Sequence, residues 1–94
     1  MRTKARKDAN QAEIVERLKK ELPECSIQSL HNVGRGVPDL LVGYKDRNFL
    51  FEIKSQRFAN LTNSQIDWHM AWKGQINVVV NFDTVLDILL RETK

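Results

Sequence analysis

The stretch "GVPDLLVGYKDRNFLFEIKSQ", residues 36–56, decides how this chain is read. Two apolar runs, "PDLLVGY" and "NFLFEIK", flank the polar Lys45-Asp46-Arg47-Asn48, the pattern of a β-hairpin. Asp39 opens the first run behind a proline, and Glu52-Ile53-Lys54 closes the second. Strand side chains alternate between faces, so Phe49, Phe51 and Ile53 share one side and Leu50, Glu52 and Lys54 the other. With Tyr44 opposite Phe49, Asp39 falls opposite Lys54 and diagonal to Glu52. A slip of two residues leaves all three on the same face.

Two carboxylates within ~5 Å of each other repel by about 3 kcal/mol at an effective dielectric near ~20. A small domain does not hold such a pair without a cation. Lys54 offers part of the compensation, and a hard divalent ion offers more. Mg²⁺ is commonly bound by one or two carboxylates together with water and phosphate oxygens. Such an ion orients and activates water and stabilises charge on the leaving oxygen of a phosphodiester. A lysine beside it positions or deprotonates that water. Each motif has an ordinary reading when taken singly: Pro-Asp marks a turn, and Glu-x-Lys on a solvent-facing strand is an ion pair. Their matched parity on adjacent strands favours the metal site.

Outward from the hairpin, the spacing predicts a first helix from about Asn10. Asn10-Gln11-Ala12-Glu13 reads as a capping box, Ile14, Val15, Leu18 and Leu22 as its apolar stripe, and Pro23 as its stop. "CSIQSLHNV" reads as a weak strand, followed by a Gly34-Arg35-Gly36 turn. "LTNSQIDWHMAWKG" reads as a second helix with Thr62 or Asn63 as cap and Gly74 as stop. "INVVV" is a buried strand, and "FDTVLDILLRE" a final helix capped by Asp83. The order is α-β-β-β-α-β-α: an α/β protein with a mixed sheet flanked by helices.

At 94 residues the chain suits one domain with a modest core. No apolar run approaches the length of a membrane helix, and no apolar segment follows the basic start, so neither a membrane span nor a signal peptide is expected. Cys25 is the single cysteine, which excludes an internal disulfide and a zinc cage of cysteines. The net charge of +3 is unevenly placed. Arg2, Lys4, Arg6 and Lys7 stand in the first seven residues without an acid, while the rest of the chain carries 11 basic and 12 acidic side chains. Residues 1–9 therefore read as a basic arm able to track phosphates, or as a solubilising tail, ahead of a single domain over residues 10–94.

Gly36-Val37-Pro38-Asp39, Phe51-Glu52-Ile53-Lys54-Ser55, and then Leu61, Gln65 and Trp68 resemble the PD-(D/E)XK nuclease superfamily. Within it they are most similar to the VRR-Nuc (virus-type replication-repair nuclease) family of small stand-alone viral or phage type. The resemblance spans about residues 10–80. It implies a restriction-endonuclease-like α-β-β-β-α-β core with an extra C-terminal helix. It also implies Mg²⁺- or Mn²⁺-dependent endonucleolytic cleavage of DNA, selective for branched structures in the manner of a Holliday junction resolvase, and so a place in DNA repair. A homodimer in the cytoplasm of a host cell follows from the same likeness. By resemblance, Asp39, Glu52 and the carbonyl of Ile53 are metal ligands and Lys54 is the catalytic lysine. Gln65 supports that lysine and its water, and Glu13 is the acid of the first helix facing the site, with Glu16 as its rival.

The remaining polar residues are weaker signals. Gln65 is also a natural helix cap. Arg35, between two glycines, suits phosphate contact or turn solvation. His31 and His69 lack metal-ligand spacing and read as non-catalytic. Trp68 and Trp72, one helical turn apart, suit core packing or a dimer face. No Ser-His-Asp or Cys-His arrangement and no phosphate-binding glycine loop is present. The competing function is a non-catalytic nucleic-acid-binding module that keeps the nuclease fold.

Overall fold

A computed structural model describes residues 2–57 and 59–94, with the side chains of residues 2–4 outside that description. The elements run α1 (Arg2–Glu21), β1 (Ser26–Ser29), β2 (Leu40–Tyr44), β3 (Arg47–Ile53), α2 (Asn63–Ala71), β4 (Asn77–Val79) and α3 (Phe82–Glu92). The strands form one sheet in the order β1-β2-β3-β4. β1, β2 and β3 pair antiparallel, and β4 joins β3 in parallel after the α2 crossover. A parallel neighbour needs such a crossover, because a tight turn can only return the chain antiparallel.

Alternation along the strands builds the core on one face. Leu40, Val42 and Tyr44 of β2 are buried with Phe49, Phe51 and Ile53 of β3 and Val79 of β4. Ile14, Leu18 and Leu22 of α1 and Phe82, Val85, Ile88 and Leu89 of α3 close over that face. Each such side chain contributes roughly 1.5–3 kcal/mol when fully buried. The Arg17 guanidinium lies 4.2 Å above the Phe82 ring, covering the seam between the two helices. Glu52 alternates with Phe51 and Ile53 and so emerges on the other face, where α2 meets it.

Three expectations are corrected here. α1 begins at Arg2 rather than near Asn10, because residues 2–9 contain no glycine or proline to break it and are mostly good helix formers. Most of the segment read as an arm is thus helix, and Asn10 is no cap. Its side-chain amide instead donates to the Lys54 and Ser55 carbonyls at 3.0 and 3.2 Å, tying α1 to the end of β3. The hairpin also closes two residues tighter than expected: Tyr44 faces Arg47, and Leu40 faces Phe51. Lys45 and Asp46 alone make the turn with φ of 51° and 63°, the left-handed pair that matches strand twist in two-residue hairpins. Lastly, α3 is capped by Asn81, whose side chain accepts from the Thr84 N–H, while Asp83 lies inside the first turn.

α2 differs in kind from the other helices, since it buries none of its residues. Its N-terminus is held by a reciprocal capping box. Thr62 Oγ1 accepts from the Gln65 N–H at 3.2 Å, and Gln65 Oε1 accepts from the Thr62 N–H at 2.8 Å. The loop before β2 braces the same end. Gly36 has φ +82°, and a Cβ there would collide with the Ser64 carbonyl and the Gln65 nitrogen. Only glycine lets the loop approach the helix so closely.

Candidate metal centre

The site forms where β2 begins and β3 ends. Asp39 brackets Glu52: its main-chain N–H donates to the Phe51 carbonyl at 3.0 Å, and its Oδ2 accepts from the Ile53 N–H at 2.7 Å. Two carboxylates are thereby fixed side by side, with the tighter register bringing Asp39 level with Glu52 rather than with Lys54. The N–H and C=O of a strand residue point to the same edge, so the Ile53 carbonyl leaves β3 on the side of Asp39.

Glu52 is 1 % exposed. Its Oε2 accepts from Gln65 Nε2 at 3.0 Å and from Lys7 Nζ at 3.2 Å. The Lys7 ammonium also stands 3.3 Å from Asp39 Oδ1, so one cation bridges both acids. Glu52 Oε1 is buried and has no hydrogen-bond partner; His69 Nε2, equally orphaned, faces it at 3.7 Å. Burial, and after it the neighbouring Asp39 carboxylate, pushes the Glu52 carboxyl up to about 8 against the pull of Lys7. Burial alone would lower Lys7, but the attraction of Asp39 and Glu52 outweighs it and raises the ammonium's pKa. The His69 imidazole is lowered by burial and is neutral at pH 7.

A cleft of about 330 Å³ opens beside these groups, lined among others by Lys7, Glu52, Lys54, Asn60, Thr62 and Gln65. Lys54 borders the cleft, but its ammonium donates to the Arg57 carbonyl at 2.8 Å and touches neither acid. The lysine in contact with the acids is Lys7, which the sequence reading assigned to a phosphate-tracking arm.

Other expected residues sit elsewhere. Glu13 is 62 % exposed and pairs with Arg17 at 3.7 Å on the outer side of α1. At ~100° per residue it lies about 120° around the helix from Lys7, and Lys7, Asn10 and Ile14 form the inward stripe instead. Glu16 is likewise exposed. Arg6 and Arg35 are exposed, Arg35 with φ 56° in its loop, and the side chains of Arg2 and Lys4 lie outside the described residues. Gln65 serves both readings at once, capping α2 through Oε1 and reaching Glu52 through Nε2. His69 was missed as a neighbour of the site. Its signal was the i,i+4 spacing from Gln65, which stacks the two on one helix face.

Two carboxylate oxygens converging on one cation, with an unsatisfied buried oxygen behind them, suit a hard divalent ion chemically. Asp39, Glu52 and the Ile53 carbonyl would hold it. Among the described residues no three His, Cys, Asp or Glu side chains group to hold a metal, so phosphate and water oxygens would complete the shell. None of the described helices is long and apolar enough to cross a membrane. Compared with protein-family models, curated proteins and solved structures, the chain matches none.

Proposed function

We propose that this protein is a divalent-metal-dependent DNA endonuclease of PD-(D/E)XK type, similar to VRR-Nuc nucleases and selective for branched DNA. One observation carries the reading: Asp39 and Glu52 present carboxylate oxygens to a common cation beside an open cleft. A bound Mg²⁺ or Mn²⁺ would supply a Lewis acid for the scissile phosphate and lower the pKa of an attacking water. Asp39 and Glu52 fix the ligand geometry, since Asp39 is held by the Ile53 N–H of β3 and Glu52 by the Gln65 side chain of α2. Gln65 keeps Glu52 Oε2 aimed at the cation position. Lys54, at the cleft wall, would orient water once it leaves the Arg57 carbonyl. Arg6 and Arg35, both exposed, would contact the DNA backbone.

A homodimer fits this reading. α2 and its C-cap expose Ile66 at 41 %, Met70 at 78 % and Trp72 at 46 %, with Trp72 stacked on Trp68 at 4.7 Å between ring centroids. Pairing two such faces would double the phosphate contacts and set two sites on one symmetric junction.

Neutralisation of the acid pair by Lys7 is the observation that favours the second reading, a nucleic-acid-binding module without catalysis. One experiment separates the two. Duplex, flap, splayed and four-way DNA are incubated with Mg²⁺ or Mn²⁺, with EDTA, and with the Asp39→Asn and Glu52→Gln variants. Metal-dependent cleavage of a branched substrate, lost in both variants, is expected. Retention of DNA without cleavage of any substrate would leave the binding module.

A further inference from the structure

Among the described side chains, the part of α1 before Asn10 is mostly exposed. Ala5, Arg6, Asp8 and Ala9 are exposed, and the first buried apolar side chain of the helix is Ile14. Within residues 5–9 only Lys7 turns inward, and its ammonium ends 3.2 Å from Glu52 Oε2 and 3.3 Å from Asp39 Oδ1. Asn10, one turn later, pins the helix to the Lys54 and Ser55 carbonyls. The helix is therefore anchored from Asn10 onward, and among the described side chains before it Lys7 makes the ionic contact.

We propose that Lys7 is the site's internal cation: it fills the Asp39–Glu52 pair when no metal is bound and is exchanged for the divalent ion. This rests on the metal-centre reading given above. The oxygens that Lys7 bridges are the ones an ion would need, and two cations cannot share them at hydrogen-bonding distance. Lys7 carries one charge, while the two acids can offer up to two to a divalent ion and include an unpartnered Glu52 Oε1 that the ammonium does not reach. A divalent ion brings the charge that balances the pair, and a lysine on a flexible four-carbon stem, 27 % exposed, can leave. Gln65 remains on Glu52 Oε2 through the exchange and preserves the aim of the carboxylate. Before exchange, Lys7 compensates the negative charge of the adjacent acids.

An exchangeable cation leaves a signature of opposite signs. Lys7→Met should lower the thermal stability of the metal-free protein and tighten Mn²⁺ binding, read by electron paramagnetic resonance or calorimetry, about tenfold or more, because no competitor remains. Arg6→Met removes the same charge from the neighbouring, exposed position and should change Mn²⁺ affinity less than about twofold. In the unmutated protein, saturating Mn²⁺ should speed hydrogen exchange in the amides of residues 3–9 while those of α3 are unchanged. Equal or weaker Mn²⁺ binding by Lys7→Met would overturn the proposal and leave the metal centre intact. So would unchanged exchange at residues 3–9 on metal binding, a test that holds even if the variant folds poorly. If neither the unmutated protein nor Lys7→Met binds Mn²⁺, both the exchange and the metal centre fall.

Discussion

Asp39 accepts the main-chain N–H of Ile53 through Oδ2 at 2.7 Å while its Oδ1 meets the Lys7 ammonium at 3.3 Å. The residue proposed as a metal ligand is thus also the clasp between the start of β2 and the end of β3. Asp39→Ala leaves the Ile53 N–H without its acceptor, at a cost of about 1–3 kcal/mol. Asp39→Asn keeps an oxygen for that bond and removes only the charge. We expect chemical denaturation to rank stability Asp39→Asn above Asp39→Ala, with both variants inactive. Equal stability of the two would mean the clasp contributes nothing.

Glu52 sets a pH dependence. Its carboxyl is raised from 4.5 to about 8 in the folded protein, chiefly by burial and then by Asp39. The unfolded chain releases this proton first as pH rises, so the contribution of Glu52 to stability is full below 4.5 and is lost on the way to about 8. The metal-free protein should lose on the order of a few kcal/mol across that window relative to Glu52→Gln, which cannot ionise. Parallel pH–stability curves for the two proteins would contradict the assignment.

Gly36 and Gly34 both have positive φ, +82° and +72°, but only Gly36 faces an obstacle, the backbone of Ser64 and Gln65. Gly34→Ala should cost about 1 kcal/mol, the price of the left-handed backbone. Gly36→Ala should cost more and push the N-terminus of α2 outward, weakening the Gln65 contact to Glu52. Thermal melts rank the pair, and an equal effect would show that α2 yields freely.

Lys54 touches neither acid, so Lys54→Met should leave Mn²⁺ affinity within about twofold while abolishing turnover. Ca²⁺, which prefers longer and looser coordination, should bind without supporting cleavage. A parallel loss of metal affinity in Lys54→Met would make this lysine part of the ion's support rather than of the chemistry.

Met70 and Trp72 offer the direct test of assembly. A charged side chain cannot be buried cheaply in an apolar interface. Met70→Glu and Trp72→Glu should therefore yield monomers by sedimentation if the unmutated protein is a dimer through α2. Because neither residue is buried in the monomer, the fold should persist, with stability changes within about 1 kcal/mol. An unmutated protein that sediments as a monomer would remove the dimer.

The element order and the apolar faces were legible in the chain itself. Alternation in "NFLFEIK", the stripe of Ile14, Leu18 and Leu22, and the glycines and prolines between runs are local facts that any compact state must respect. Face parity was legible too, because a two-residue slip preserves it, and so Asp39 and Glu52 were rightly set on one side of the hairpin. Register was not. It depended on Lys45 and Asp46 adopting left-handed backbone, a choice made by strand twist rather than by strong turn residues.

Which cation meets the acids was decided only by tertiary structure. Lys54 lies two residues from Glu52 and Lys7 lies 45 away, yet Lys7 makes the contact. The reason is that α1 runs on to Arg2 instead of starting at Asn10, and packing of Ile14, Leu18 and Leu22 sets the rotation that turns Lys7 inward and Glu13 outward. The same packing makes Asn10 a clamp rather than a cap, while α2, braced by the Gly36 loop, places His69 3.7 Å from Glu52. Sequence determines what each segment can form and which side of it is apolar. Only the docking of one helix on another fixes which charged side chains, far apart in the chain, come to share one buried site.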